Sequence, residues 1–478
     1  MVTRFLSVLL MLLLAGCATP TVVPTSAPSQ SVPAPAATAT APVEPASYSS
    51  SLLLARWDTK IRHYLLSPVD PATGGTIAGY APVDLGVNYY HVFSANRKVL
   101  AIITYTDDSA SEPVLHIIDL AYWRERSFKL ENLSGWTSAI ALSSDGSTLV
   151  AALLDRDNSL FVFDLKQDMI SAQVQTEFNV KQLQFTQDGT GLMVYGSVLV
   201  DRSTQNERNQ GPVRVALLDA HDLSPRWSAE VAGLRDGTYA MDEKNVSDLH
   251  QPGNSIYLNP GVVFAPGTDV LYAIHADEGR LTRIDFASRS IRTVSIQPRL
   301  SWFERYLMLG ARTAYAKGGN GVLRQAVISP DGEVIYTIGI KNEVHLQSNG
   351  DWEFTFTPLG FQAIRSSDGS VAFEKDIYAD SLSIAPDGSC LFLYSWKEGD
   401  PYGGLTNIFD LKNSEFGTQY AGVQLSPTRR MDGSLVLVSA TTMPDSSEAT
   451  RMAIHDYTTG GLIAEWISPT YAGWITPR

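Results

Sequence analysis

Ala139-Ile140-Ala141-Leu142-Ser143-Ser144-Asp145-Gly146-Ser147-Thr148-Leu149-Val150 decides the fold of this 478-residue chain. Two apolar runs flank Ser-Ser-Asp-Gly. Asp-Gly in that setting is a strong hairpin signal, because the turn needs a residue at positive φ. The pattern recurs around Gln187-Asp188-Gly189, Pro266-Gly267, Pro330-Asp331-Gly332, Pro386-Asp387-Gly388 and Met431-Asp432-Gly433. A copy without glycine stands at Ser94-Ala95-Asn96-Arg97.

A second hairpin follows each of these, and its first strand usually ends in aspartate. Asp119, Asp164, Asp219, Asp285, Asp410 and Asp456 mark it, Asp368 sits in a diverged copy, and Asp70 marks the earliest, with residues 71–74 as its turn. The unit is therefore four strands, a to d. Second hairpins number eight and first hairpins seven, because the N-terminal unit begins at strand b (residues 52–57). Residues 472–475 are expected to supply its missing strand a, which closes the array without a free sheet edge. Gly146 and Gly189 lie 43 residues apart and Gly388 and Gly433 lie 45 apart, the period of about 40–45 residues expected of four-stranded propeller blades. With hairpins such as Ser329-Pro330-Asp331-Gly332, the repeats resemble TolB-like and WD-repeat-like β-propellers. That resemblance implies an all-β propeller of four-stranded antiparallel blades, closed by N- and C-terminal strands. Eight blades are expected, or seven if one copy is spurious.

The N-terminus carries a different signal. A basic start over residues 1–4 precedes an apolar run over 5–14 and then Leu14-Ala15-Gly16-Cys17. This is the layout of a secretory signal peptide, and Leu-Ala-Gly-Cys is similar to the lipobox of bacterial lipoproteins. The resemblance implies cleavage after residue 16 and a thioether-linked diacylglycerol on Cys17. The apolar run is about half of the ~20 residues a membrane-spanning helix needs. Residues 18–50 are mostly Pro, Ala, Thr, Ser and Val, with Glu44 as the single charge. Such a stretch buries too little apolar surface to offset its ordering entropy, and its prolines favour an extended spacer. The expected order is a signal peptide over 1–16, a lipidated tether over 17–50 and the propeller over 51–478. The expected location is extracytoplasmic, anchored by lipid to the bacterial cell membrane.

Composition narrows the function. A net charge of −14 disfavours nucleic acid, which wants a basic face. Cysteines number two. With Cys17 acylated, Cys390 has no partner, and its apolar run reads as a strand with a buried thiol. A core of this size does not need disulfides after export. His-Glu-x-x-His, Cys-x-x-Cys, Gly-x-Ser-x-Gly and phosphate-loop motifs are absent, so no catalytic residue, metal or cofactor is assigned. The acidic b–c turns, such as Asp155-Arg156-Asp157-Asn158, lack calcium-loop spacing and read as a solvated rim.

Four long insertions stand out: 199–211 and 341–358 between strands b and c, and 233–260 and 297–322 between strands d and a. Propeller connectivity puts all four on one face. Insertions in repeat folds often mark the binding face. Together they are expected to form a wall over the central channel, carrying His250, Tyr257, Trp302, Arg305, Tyr306, Tyr315, Lys317 and Trp352. Aromatic residues and arginine dominate interaction hot spots. The competing role for each is packing of its loop onto a blade. Residues 300–309 fit a short amphipathic helix capped by Ser301. The expected function is a binding module for a protein, peptide or glycan, built on a monomeric propeller. The alternative, implied by resemblance to propeller enzymes, is a lactonase-like hydrolase or quinoprotein-dehydrogenase-like site at the channel mouth.

Overall fold

A computed structural model of the chain describes residues 51–107, 113–131, 133–154, 158–198, 211–240, 255–296, 319–346, 352–396, 404–421, 423–443 and 449–476. These residues form eight antiparallel blades and, among them, no helix. The first blade uses β1 (Leu52–Asp58), β2 (His63–Val69) and β3 (Val83–Asp84) as strands b, c and d. The second holds β4 (Asn88–Phe93), β5 (Val99–Tyr105), β6 (Val114–Asp119) and β7 (Arg124–Lys129). The third holds β8 (Trp136–Leu142), β9 (Thr148–Leu154), β10 (Ser159–Asp164) and β11 (Met169–Gln175). The fourth holds β12 (Phe178–Phe185), β13 (Gly191–Val198), β14 (Val213–Asp219) and β15 (Pro225–Glu230).

Two short strands, β16 (Gly237–Ala240) and β17 (Ser255–Asn259), then precede the fifth blade. That blade holds β18 (Gly261–Phe264), β19 (Val270–Ile274), β20 (Arg280–Asp285) and β21 (Ser290–Ser295). The sixth holds β22 (Gly319–Ile328), β23 (Val334–Leu346), β24 (Trp352–Arg365) and β25 (Val371–Lys375). The seventh holds β26 (Ser381–Ile384), β27 (Cys390–Ser395), β28 (Leu405–Asp410) and β29 (Glu415–Ala421). The eighth holds β30 (Ser426–Arg429), β31 (Leu435–Thr442), β32 (Thr450–Asp456) and β33 (Leu462–Ser468). Finally β34 (Ala472–Trp474) pairs with β1, Leu54 opposite Trp474, as strand a of the first blade. The closure expected from the two chain ends is therefore present.

Burial explains why the strands read as they do. Strands b and c lie between neighbouring blades and are apolar on both sides: Ala101, Ile103 and Tyr105 pack toward the third blade, while Leu100 and Ile102 pack toward the first. This is the two-residue alternation of a strand serving two interfaces. Outer strands such as β11 alternate between exposed and half-buried positions. Eight clusters of buried residues each join one pair of adjacent blades, including the eighth to the first. Eight blades with eight shared interfaces make a closed ring. Strands a neighbour one another around it, β4 against β8, β8 against β12, and β22 against β18 and β26, so they are the innermost strands.

The recurrent turn residues have a common chemistry. In the a–b turn of the third blade, Ser143 Oγ donates to Asp145 Oδ1 (2.7 Å) and accepts from the Thr148 amide (2.9 Å). Asp145 Oδ1 also accepts from the Ser147 amide at 3.0 Å. Thr186 with Asp188, Ser329 with Asp331 and Ser94 with Asn96 repeat the first bond. Gly146, Gly189, Gly332, Gly388 and Gly433 follow at φ of 71–88°. In c–d turns the strand-ending aspartate accepts two amides, as Asp164 does from Lys166 (2.8 Å) and Gln167 (3.0 Å). These are Asx turns. In the sixth blade strand c ends at Arg365, and Asp368 sits inside the turn, accepting from the Ser370 amide (2.9 Å). Cys390, expected to be buried, is half-buried at the start of β27. Its Sγ lies 3.7 Å from the Tyr457 hydroxyl, and burial pushes the thiol up.

Candidate functional site

All four insertions fall in b–c or d–a connections, so the strand order places them on the same face. Three of them share one sheet. The 341–358 insertion, expected as a loop, contains the extended ends of β23 and β24, paired from Lys341–Thr357 out to Leu346–Trp352. The 233–260 insertion contains β16 and β17. Strand β17 pairs in parallel with β22, Tyr257 to Asn259 alongside Gly321 to Leu323. The sixth blade thus becomes a six-stranded sheet. It has its own small core: buried Leu258, Ala276 and Val322, with Tyr239, Ile256 and Leu359 packed against them.

The base of this sheet is tied to the fourth blade by a buried carboxylate. Asp236 is 2% exposed. It is ion-paired with Lys181 of β12 and accepts a 2.9 Å hydrogen bond from the Tyr195 hydroxyl of β13. The Asp236 amide donates to Tyr239 Oη at 2.9 Å, and that hydroxyl donates to the Gly211 carbonyl at 3.4 Å. Gly211 ends the 199–211 insertion, so the fourth insertion is rooted at the same point. Arg235 pairs with Asp277 of the fifth blade's b–c turn and lies 5.5 Å over the Tyr239 ring. Burial, and then the Asp236 charge, push the Tyr195 phenol well up. Tyr257 is raised by the same two causes in the same order. Both phenols stay neutral, and the Tyr195 hydroxyl serves as a donor to the carboxylate.

His275, at the start of the same b–c turn, is fully buried. Its Nε2 lies 2.8 Å from Thr282 Oγ1. Burial pushes its pKa down to about 4, so the ring is neutral at physiological pH. His116 is held by Thr104 at 3.0 Å and Glu125 at 2.6 Å. These histidines are bonded into blades. Among the described residues, no three His, Cys, Asp or Glu side chains are grouped to hold a metal ion. No described helix is long and apolar enough to cross a membrane.

Of the residues singled out from sequence, Tyr257 lies in β17 within the field of Asp236. Trp352 begins β24, its backbone paired with Leu346. His250, Trp302, Arg305, Tyr306, Tyr315, Lys317 and the proposed 300–309 helix lie outside the described residues, as do Cys17 and the tether. Asp236, Lys181, Tyr195 and Tyr239 were missed. Two signals were available. Two consecutive polar residues, Lys181-Gln182, break the alternation of β12 where the register slips between Val180 and Gln182. Asp236-Gly237 resembles the turn motif but stands at the end of a connection rather than between apolar runs.

Neither a protein-family profile nor a curated protein sequence matches the chain. Solved structures do match its fold. A dihydro-heme d1 dehydrogenase, NirN, in complex with DHE aligns over 93% of this chain and 79% of its own, with a TM-score of 0.53 and 10% identity. A eukaryotic initiation factor aligns over 89% and 98%, with a TM-score of 0.45 and 13% identity. The Swd1 β-propeller domain of Myceliophteria thermophila aligns over 80% and 97%, with a TM-score of 0.39 and 12% identity. At these identities the likeness is one of fold. The chain is an all-β, eight-bladed β-propeller of four-stranded antiparallel blades.

Proposed function

We propose that this chain is a lipid-anchored, extracytoplasmic propeller that binds a protein, peptide or glycan through the b–c and d–a face. The observation that carries the reading is the joining of insertions from separate blades into one six-stranded sheet above that face. Its assembly around Asp236 gives the face a rigid base, and rigid bases are what position binding segments. The exposed Phe356, 50% accessible on β24, offers an apolar anchor there. The Leu-Ala-Gly-Cys signal and the proline-rich 18–50 stretch support the anchor and tether. The TolB-like look of the Ser329-Pro330-Asp331-Gly332 hairpin and its variants belongs to the same reading.

A photo-crosslinking amino acid at Phe356, or at Trp302, is expected to trap a partner in intact cells. The same group at Thr458, on a c–d turn of the opposite face, is expected to trap none. Adducts at Thr458 and none at Phe356 or Trp302 would remove the insertion face. The anchor is read separately: Cys17→Ser is expected to move the mature protein from the membrane to the soluble fraction and to abolish fatty-acid labelling.

A further inference from the structure

Between the fifth and sixth blades, at the end of the cleft nearest the c–d turns, lies a cavity of about 210 Å³. Tyr272, Arg283 and Arg292 sit in one row across β19, β20 and β21, with Tyr272 opposite Arg283 and Arg283 opposite Arg292. Ser366 and Ser367, from the sixth blade's c–d turn, complete the polar wall. Two arginines directly opposite on neighbouring strands repel each other, and such like-charged pairs destabilise a sheet. The local counter-charge is unequal. Arg283 holds Asp285 at 2.7 Å, and the Tyr272 hydroxyl lies against its guanidinium. Among the described residues, no carboxylate lies within ion-pair distance of Arg292. Arg292 is exposed on the outer strand, yet it stands beside a second guanidinium and lines a cavity that also carries hydroxyls, a placement that adds repulsion rather than stability.

We propose that this cleft binds a small oxyanion group, a phosphate or a carboxylate, bridged between Arg283 and Arg292. The guanidinium fork matches either group bidentately, and the Tyr272 and Ser367 hydroxyls supply neutral donors around the remaining oxygens, the Ser366 hydroxyl being committed to the Gly332 carbonyl at 2.8 Å. Leu281 and Val294 line the same cavity and give the anion's carbon or ester side an apolar wall. The site takes Ser366 and Ser367 from the c–d turn of the sixth blade, at the opposite end from the insertions, so it stands or falls independently of the proposed partner face.

The test uses the folded chain, isothermal titration and thermal unfolding. Inorganic phosphate and acetate are added in parallel at fixed ionic strength, with chloride as the reference salt. Saturable binding of phosphate above chloride is expected if a phosphoryl group is the ligand, and saturable binding of acetate if a carboxylate is. Arg292→Gln should lower that affinity about tenfold or more, the loss expected for a hydrogen-bonded charge contact. Without added anion, R292Q should melt at or above the wild-type temperature, because it removes the cross-strand repulsion. Three results would overturn the proposal: no saturable response to either anion, equal binding by R292Q, or a lower melting temperature of anion-free R292Q. The last would make Arg292 a structural residue.

Discussion

The two faces of the ring are built by different means. The a–b and c–d face is made of one device repeated: an Asp or Asn side chain accepts nearby amides while a single residue adopts positive φ. Each turn closes on its own local hydrogen bonds, with single ties to the next blade such as Tyr457 Oη to Asp387 Oδ1 and the Gln187 amide to Asp269 Oδ1, both 2.8 Å. The opposite face depends on contacts far apart in sequence. Lys181 and Tyr195 from two strands of the fourth blade, Asp236 and Tyr257 from one connection and Gly211 from another gather around one buried carboxylate. A change on the first face should therefore cost little and stay local. A change at the centre of the second should cost much and loosen several insertions together.

Asp236→Ala is the sharpest way to break this contrast. It leaves the Lys181 ammonium unpaired and the Tyr195 hydroxyl without its acceptor. Removing one partner of a buried pair costs about 3–5 kcal/mol, which chemical denaturation would measure. Replacing both ends together, K181M with D236N, should recover much of the loss, because no buried charge is left over. Equal stability of D236A and wild type would erase the distinction between the faces.

On the turn face the expected effects are smaller and of opposite sign at two equivalent positions. Gly189 has φ of 72° and open space where a Cβ would stand. Gly189→Ala should cost about 1 kcal/mol from backbone strain alone. Arg97 occupies the glycine position of its own turn at φ of 55°, so Arg97→Gly should gain up to about 1 kcal/mol, less whatever the arginine stem contributes by packing. A thermal melt of the two variants checks both signs.

The smallest effect per residue is that of pH. The Ser143, Thr186 and Ser329 hydroxyls hold Asp145, Asp188 and Asp331 below the ordinary carboxylate range. Amides of His221 and Thr459 do the same for Asp219 and Asp456. The unfolded chain then takes up these protons first as pH falls. Stability should be flat with respect to these groups above about pH 4 and decline below it as the folded carboxylates protonate. Unfolding midpoints between pH 2 and 6 would record the decline, and the variant Asp188→Asn should flatten part of it.

The turn motifs were legible because their chemistry is local. Asp145-Gly146 encodes its own φ and its own hydrogen bonds within a few residues, so eight second hairpins could be counted and residues 472–475 expected as the missing strand a, while the register of Leu54 opposite Trp474 came from the structure. Asp368 shows the limit of that reading: the aspartate was visible, yet its place within the turn depended on where β24 ends. The insertion sheet was legible only as length. Parallel pairing of β17 with β22 joins segments some sixty residues apart, with no short-range pattern to announce it.

The chain by itself determined the four-stranded unit, its strand order and the strand that completes the first blade, and narrowed the ring to eight blades or seven, because hairpin turns and two-residue alternation are short-range physics. Only tertiary structure decided that Asp236 would be buried with Lys181, that Tyr257 would lie in its field, and that Arg283 and Arg292 would face a shared cleft. Each of those depends on which blades become neighbours. A buried or unpaired charge acquires its energy from what surrounds it, not from the residues beside it in sequence.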